Sequence, residues 1–255
     1  MSAHDELVTM SAISKNYGGV QALAGVDFTV GSGEIVGLVG DNGAGKSTLI
    51  QILSGVIRPD SGTIYIRENK VTMRHSSDAI ALGIETIFQG AALVNQLTVA
   101  RNLFLGREPT RRLAGIVPAL DARHMEEESR ILLRRMGLGR DVDPRQRITQ
   151  LSGGERQSIA IARAMYFEAD LIILDEPTNN LGVEETRRVL DFIREAKAAG
   201  RASIFITHNL FHVLQVADRI VVFRRGRTVG NLPARETTLE QVESIITGVR
   251  PMGER

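Results

Sequence analysis

Hydrophobic and polar positions change period along this chain, and each change marks an element. Residues 7–13 partly alternate, and Val26-Asp27-Phe28-Thr29-Val30 alternates cleanly before the turn Gly31-Ser32-Gly33. The pattern predicts two strands on an antiparallel side sheet. Glu34-Ile35-Val36-Gly37-Leu38-Val39 is a short apolar run with the look of a buried strand. Leu49-Ile50-Gln51-Ile52-Leu53 returns to helical spacing, with Gly55 as its stop. After the turn at Arg58-Pro59-Asp60-Ser61-Gly62, residues 63–66 alternate as a strand, 77–82 read as a helix stopped at Gly83, and 84–89 read as a strand ending in Gln89.

From Gly90 to about Gln150 the period is helical. Thr98 is the N-cap candidate of a helix stopped at Gly106, and Asp121 that of a helix over 122–136 with Gly137 beyond it. Residues 109–118 are basic and broken, and read as a loop. The second half restores strand–helix alternation. Leu171-Ile172-Ile173-Leu174 predicts a strand buried on both faces, 184–199 a helix stopped at Gly200, 202–207 a further buried strand ending in His208, and 211–216 a helix. A hairpin over 220–229 and a helix opened by the capping box at Thr238 and closed by Gly248 complete the chain.

With 255 residues the chain could form one large α/β domain or two small ones, and at 43% hydrophobic and 24% charged it has the composition of an ordinary soluble globular protein. A formal net charge of +1 implies no bulk attraction to nucleic acid or anionic membrane. No cysteine is present, which excludes disulfides, thiolate nucleophiles and cysteine metal sites and suits a reducing cytoplasm. No basic and apolar leader is seen at the N-terminus, and no apolar run approaches the roughly 20 residues of a membrane span.

The candidate chemistry begins at the end of the first buried strand. Gly40-Asp41-Asn42-Gly43-Ala44-Gly45-Lys46-Ser47-Thr48 fits G-x-x-x-x-G-K-[ST], between strand and helix as the phosphate-binding mechanism requires. Glycines let the loop amides point inward, the helix start adds positive potential, Lys46 reaches the β- and γ-phosphates, and the Ser47 hydroxyl can ligate Mg²⁺. Asp175-Glu176 ends the second buried strand. Alternation turns one acid toward Mg²⁺ and the other toward an attacking water. Tyr17, one of three tyrosines, lies in a polar, turn-like stretch, where it is either a base-stacking platform or a half-buried surface aromatic. Ser152-Gly153-Gly154 opens an apolar helix, a second terminus able to meet an anion.

Leu151-Ser152-Gly153-Gly154-Glu155-Arg156-Gln157 resembles the signature of the ATP-binding cassette (ABC) ATPases, and Asp175-Glu176-Pro177-Thr178 and His208 follow at that family's spacing. The resemblance covers essentially the whole chain. It implies a P-loop α/β fold with a mainly parallel core sheet, an N-terminal antiparallel β subdomain and an inserted helical subdomain. Residues 1–89 would hold the β subdomain and P-loop core, 90–167 the helical subdomain with the signature, and 168–255 the rest of the core. It further implies ATP and Mg²⁺ as ligands, Tyr17 as the adenine-stacking aromatic, Ser47 and Asp175 at the metal, Gln89 at the metal or the lytic water, Glu176 at the lytic water and His208 sensing the γ-phosphate. Ser152, Gly153 and Gly154 would contact the γ-phosphate held by a second cassette. Gly182 stands where the family usually has an aspartate, in the loop that links the two sites.

Gly83-Ile84-Glu85-Thr86-Ile87-Phe88-Gln89, Asn102-Leu103-Phe104-Leu105-Gly106-Arg107-Glu108 and Thr178-Asn179-Asn180-Leu181-Gly182 resemble ATPase subunits of bacterial monosaccharide importers, in a single-cassette branch associated with fructose- or xylose-type sugars. Gly90 departs from the acidic residue often found there. That likeness implies a membrane permease and a second cassette as partners, a periplasmic solute-binding protein indirectly, no nucleic acid, and a place at the cytoplasmic face of the inner membrane. Two other classes remain open on the sequence. A soluble ABC protein acting on DNA or ribosomes would typically carry long coiled-coil insertions or two cassettes. A non-hydrolysing nucleotide-gated module would lack Glu176 or Lys46.

Overall fold

The computed structural model describes residues 6–88, 93–113, 116–136, 138, 142–167, 169–179 and 181–248. In chain order the elements are β1 (Glu6–Tyr17), β2 (Val20–Gly31), β3 (Ile35–Gly40), α1 (Lys46–Leu53), β4 (Ser61–Ile66), β5 (Asn69–Val71), α2 (Ser76–Ala81), β6 (Ile84–Ile87) and α3 (Val99–Leu103). They continue with β7 (Thr110–Leu113), β8 (Val117–Leu120), α4 (Ala122–Arg135), α5 (Gly153–Tyr166), β9 (Leu171–Asp175), α6 (Val183–Ala198) and β10 (Ala202–Ile206). Last come α7 (Leu210–Val216), β11 (Arg219–Arg224), β12 (Arg227–Pro233) and α8 (Leu239–Thr247). The protein is α/β, and its packing divides it into one unit of 1–88, 169–178 and 190–255 and another of 89–168 and 179–189.

The first unit carries two sheets. Continuous apolar runs become its central strands: β3, β9 and β10 bury every position but the last residue of β3 and of β9. They lie in a six-stranded sheet of order β12-β11-β3-β10-β9-β6, parallel throughout except for β12, which returns antiparallel to β11. The register levels the strand ends. Ile206 pairs with both Leu38 and Asp175, so the carboxyl ends of β3, β9 and β10 open side by side. Ligands of open α/β sheets bind at such ends. The second sheet is antiparallel, in the order β2-β1-β4-β5. One hydrophobic core takes Val8, Met10 and Phe28 from the antiparallel sheet, Leu49, Ile50 and Leu53 from α1, and Leu38, Ile173 and Ile204 from the parallel one.

In the second unit α3, α4 and α5 share a core that includes Val99, Leu103, Phe104, Leu132, Leu133, Ile148 and Ile159. Phe104 meets Tyr166 and Phe167 edge to face, at 4.9 and 6.1 Å between ring centroids. The caps expected at Thr98 and Asp121 form, accepting from the N–H of Arg101 at 3.3 Å and of His124 at 3.1 Å. The stretch expected to be a loop is a hairpin instead: β7 and β8 pair antiparallel from Thr110↔Leu120 to Leu113↔Val117. Proline removes an amide donor, but in a two-stranded ribbon each strand is an edge, so Pro118 opposite Arg112 spoils no ladder between sheets.

Candidate active site

Three loops meet where β3, β9 and β10 end. The first, from Gly40 to Gly45, joins β3 to α1. Gly45 is left-handed at φ 106°, and a Cβ there would come within 2.6 Å of the Ala22 carbonyl oxygen of β2. Only glycine lets the loop pass so close to β2. Gly226, in the turn between β11 and β12, donates to the Ala44 carbonyl at 2.9 Å and accepts from the Ala24 N–H at 2.9 Å. The loop is thus backed by two hairpins. No side chain caps α1, which leaves its first amides to the loop's concave side.

Lys46 is buried and lies back over the loop, donating from Nζ to the carbonyls of Gly40 at 2.6 Å and Asp41 at 2.9 Å. Burial lowers the pKa of its ammonium, opposed by the charges of Glu176, Asp175 and Asp41. A group held this way gains from an incoming anion. Asp41, Asn42 and Gly43 are exposed at the loop's rim, Ala44 is buried, Ser47 is exposed and Thr48 half-buried.

The second loop follows β9. Burial, then the charge of Glu176, raises the pKa of the Asp175 carboxyl, opposed by Lys46. The strand stops there, and Glu176 turns off at φ 50°. Its direction therefore comes from a left-handed kink rather than from the strand alternation expected. Its N–H donates to the Ile206 carbonyl at 2.9 Å, which fixes it to β10. The third loop follows β10: His208 is exposed and places Nδ1 3.1 Å from Glu176 Oε2. A non-glycine residue in the left-handed region costs about 1–3 kcal/mol and persists where its surroundings over-determine it.

Lys46, Asp175, Glu176 and His208 are therefore brought together from distant parts of the chain, and it is the sheet register that gathers them. Tyr17 ends β1 at the tip of the β1–β2 hairpin, about half exposed, with Lys15 Nζ 5.9 Å from its ring centroid. Gln89 and Gly90 fall outside the described residues. Ser152, Gly153 and Gly154 belong to the second unit. There Ser152 Oγ accepts from the Glu155 N–H at 3.2 Å and Glu155 Oε2 accepts from the Ser152 N–H at 2.7 Å, a capping box that leaves Gly153 exposed at the start of α5. Gly182 precedes α6, its carbonyl accepting from the Thr186 N–H at 3.0 Å.

Three polar residues beside the site take no role from the sequence: Thr178, which ends the Asp175–Thr178 motif, and Asn209 and His212, which belong to none; hydrogen bonds join them behind His208. Of these, Asn209 has a readable local signal, an N-cap residue directly before an apolar helix.

The donor set suits a nucleotide with Mg²⁺. Loop amides, a helix start and a desolvated ammonium answer phosphate charge. Ser47 and Asp175 offer the hydroxyl and carboxylate oxygens that Mg²⁺ prefers. Mg²⁺ keeps several waters and shares a substrate's phosphates, so a hydroxyl and one carboxylate are enough protein oxygens to hold it.

A protein-family model for ABC transporters matches residues 23–179, and the chain belongs to that family. It is 42% identical to the xylose/arabinose import ATP-binding protein of Sulfolobus acidocaldarius over 95% of this chain and 94% of that one. It is 39% identical to the fructose import ATP-binding protein of Rhizobium meliloti over 97% of this chain and 96% of that one. Among solved structures it resembles the ADP conformation of an ATP-binding cassette of an ABC transporter, at 25% identity and a TM-score of 0.77, with 95% of each chain covered.

Proposed function

We propose that this chain is the ATP-hydrolysing subunit of an ABC importer for a monosaccharide, worked by closure of two cassettes around ATP. The observation that carries the reading is the meeting of Lys46, Asp175, Glu176 and His208 at one set of strand ends. The named relatives, both sugar import ATP-binding proteins, supply the substrate class.

The loop from Gly40 to Thr48 wraps the α- and β-phosphates with its amides, and Lys46 turns from the Gly40 and Asp41 carbonyls to the β- and γ-oxygens. Ser47 and Asp175, with Gln89 as a further ligand, would hold Mg²⁺, which would supply positive charge to the phosphate oxygens. Tyr17 stacks on the adenine. Glu176 accepts a proton from the water whose oxygen bonds to the γ-phosphorus as the bond to the bridging oxygen of ADP breaks. Such a base contributes about 10²–10⁴ in rate. His208 holds Glu176 in place through Nδ1 and leaves its other nitrogen for the γ-phosphate. The leaving oxygen develops negative charge, which Lys46 and the loop amides stabilise.

Each chain carries one phosphate loop and one signature. Ser152, Gly153 and Gly154 of one cassette close the γ-phosphate side of the site in the other, and hydrolysis releases the clamp. Gly182 removes an acid from the segment that links the sites, so communication between sites, rather than chemistry within one, is where this chain departs from its family. No helix among the described residues is long and apolar enough to cross a membrane. The chain works at the cytoplasmic face of the membrane through a permease, and a periplasmic binding protein chooses the sugar.

The test is turnover of the purified chain with and without Glu176→Gln. Wild type hydrolyses ATP; the variant loses at least about 10²-fold in kcat, keeps nucleotide affinity and forms an ATP-dependent dimer. Absent turnover at every protein concentration, together with no ATP-dependent dimer of the variant, would sink the reading.

A further inference from the structure

The contacts behind His208 fix a proton. Asn209 caps α7: its Oδ1 accepts from the His212 N–H at 3.3 Å, while its own N–H donates to Thr207 Oγ1 at 3.1 Å. With Oδ1 engaged by the cap, the amide presents its NH₂ group to the imidazole, Nδ2 standing 3.3 Å from His212 Nε2. An amide NH₂ can only donate, so Nε2 must accept and the ring proton must sit on Nδ1. Nδ1–H then donates to Thr178 Oγ1, 3.3 Å away. Thr178 is buried, which leaves its hydroxyl few alternatives. The neutral ring this requires is the one its surroundings favour: burial, then the nearby His208, lowers the His212 pKa.

We infer that His212 is a positioning residue for hydrolysis, a bridge that sets the spacing of the two loops carrying Glu176 and His208. The inference rests on the ATPase reading above. Thr178 lies two residues after Glu176, and Asn209 directly follows His208. In front, the two loops touch through the contact between Glu176 Oε2 and His208 Nδ1, at 3.1 Å. Behind, the chain Thr178–His212–Asn209 spans the same gap with two more hydrogen bonds. His212 needs no contact with phosphate or water to act. It acts through the loops, and a misplacement of about 1 Å at a base can cost on the order of 10² in rate.

The test has a spectroscopic arm and a kinetic arm, both on the whole chain. Long-range ¹H–¹⁵N spectra of histidine-labelled protein at neutral pH should show His212 as the Nδ1–H tautomer, which the Asn209 amide continues to impose in Thr178→Val. Nε2–H in the wild type overturns the inference. Thr178→Val keeps shape and removes the hydroxyl, and kcat should fall about tenfold or more with KM for ATP within about twofold. Thr178→Ser should restore kcat to within about threefold of wild type, and Thr178→Val combined with His212→Asn should be no worse than either alone. Equal losses in the Val and Ser variants, or additive losses in the double variant, overturn it. A wild-type chain without turnover overturns the ATPase reading and this inference with it. Turnover indifferent to Thr178→Val overturns this inference alone.

Discussion

His212 has to remain neutral for its Nε2 to accept a hydrogen bond, and acid pH therefore acts on the site from behind. Its pKa in the folded chain lies below the ordinary value of 6.5, chiefly through burial and then through the titratable neighbour His208; Asn209 and Thr178 carry no charge. Between the folded value and 6.5 the unfolded chain binds a proton that the folded chain refuses. The stability at stake is thus fully present above 6.5 and is lost as pH falls through 6.5 toward the folded value. Melting of the nucleotide-free chain between about pH 7.5 and pH 5.5 should show the loss, and His212→Asn should remove on the order of 1–3 °C of it. An equal loss in wild type and variant would assign the acid sensitivity elsewhere. Lys46, Asp175 and Glu176 were legible in the sequence as candidates because each follows a glycine loop or a buried apolar run, and His208 only through the family spacing that the chain resembles. The Thr178–His212 bond was not, since it joins the loop after β9 to α7, 34 residues on, and only the parallel sheet determines their approach.

Among the elements, buried runs read well and exposed ones did not. The apolar stretches at β3, β9 and β10 admit one assignment because burial on both faces demands it. The β7–β8 hairpin has exposed residues at Thr110, Arg111, Arg112, Val117 and Pro118, so no apolar alternation announced it. The β1 strand runs past the expected residue 13 to Tyr17 because Ala12, at φ 51°, makes a bulge between Met10 and Ile13 that breaks the alternation without ending the ladder. The turn between β11 and β12 carries more of the site than its sequence suggests. Gly226 has φ 71°, and a Cβ there would lie 2.7 Å from the Ala22 carbonyl oxygen, while its N–H holds the Ala44 carbonyl of the phosphate loop. Gly226→Ala combines a backbone term of about 1–2 kcal/mol with a clash against backbone. It should lower the melting temperature by about 5–10 °C and raise KM for ATP several-fold. A loss of stability with unchanged KM would separate the turn from the loop it supports.

For the whole molecule, the parallel sheet explains how one chain gathers phosphate-binding and water-activating groups, and the proposed function asks a second chain to complete them. Gly153 allows that demand to be tested without disturbing the fold. It is exposed at the first position of α5, and a Cβ built there meets nothing within 4 Å. Aspartate at this place is even favourable to the helix, since negative charge near a helix N-terminus contributes about 0.3–1 kcal/mol. If the signature faces a γ-phosphate, the same charge repels it. Gly153→Asp should therefore melt at or slightly above the wild-type temperature and yet lose turnover, as Lys46→Ala does for a different reason. Mixed in equal amounts, the two inactive chains should recover activity. In a mixed dimer the intact phosphate loop of the Gly153→Asp chain faces the intact signature of the Lys46→Ala chain, giving one working site of two. Random pairing makes about half of the dimers mixed, so with independent sites about one quarter of the wild-type sites should work. Recovery should grow with protein concentration, as association requires. A mixture as inactive as its parts, with both variants folded, would mean that the signature serves the phosphate loop of its own chain or none, and the clamp would have to be abandoned.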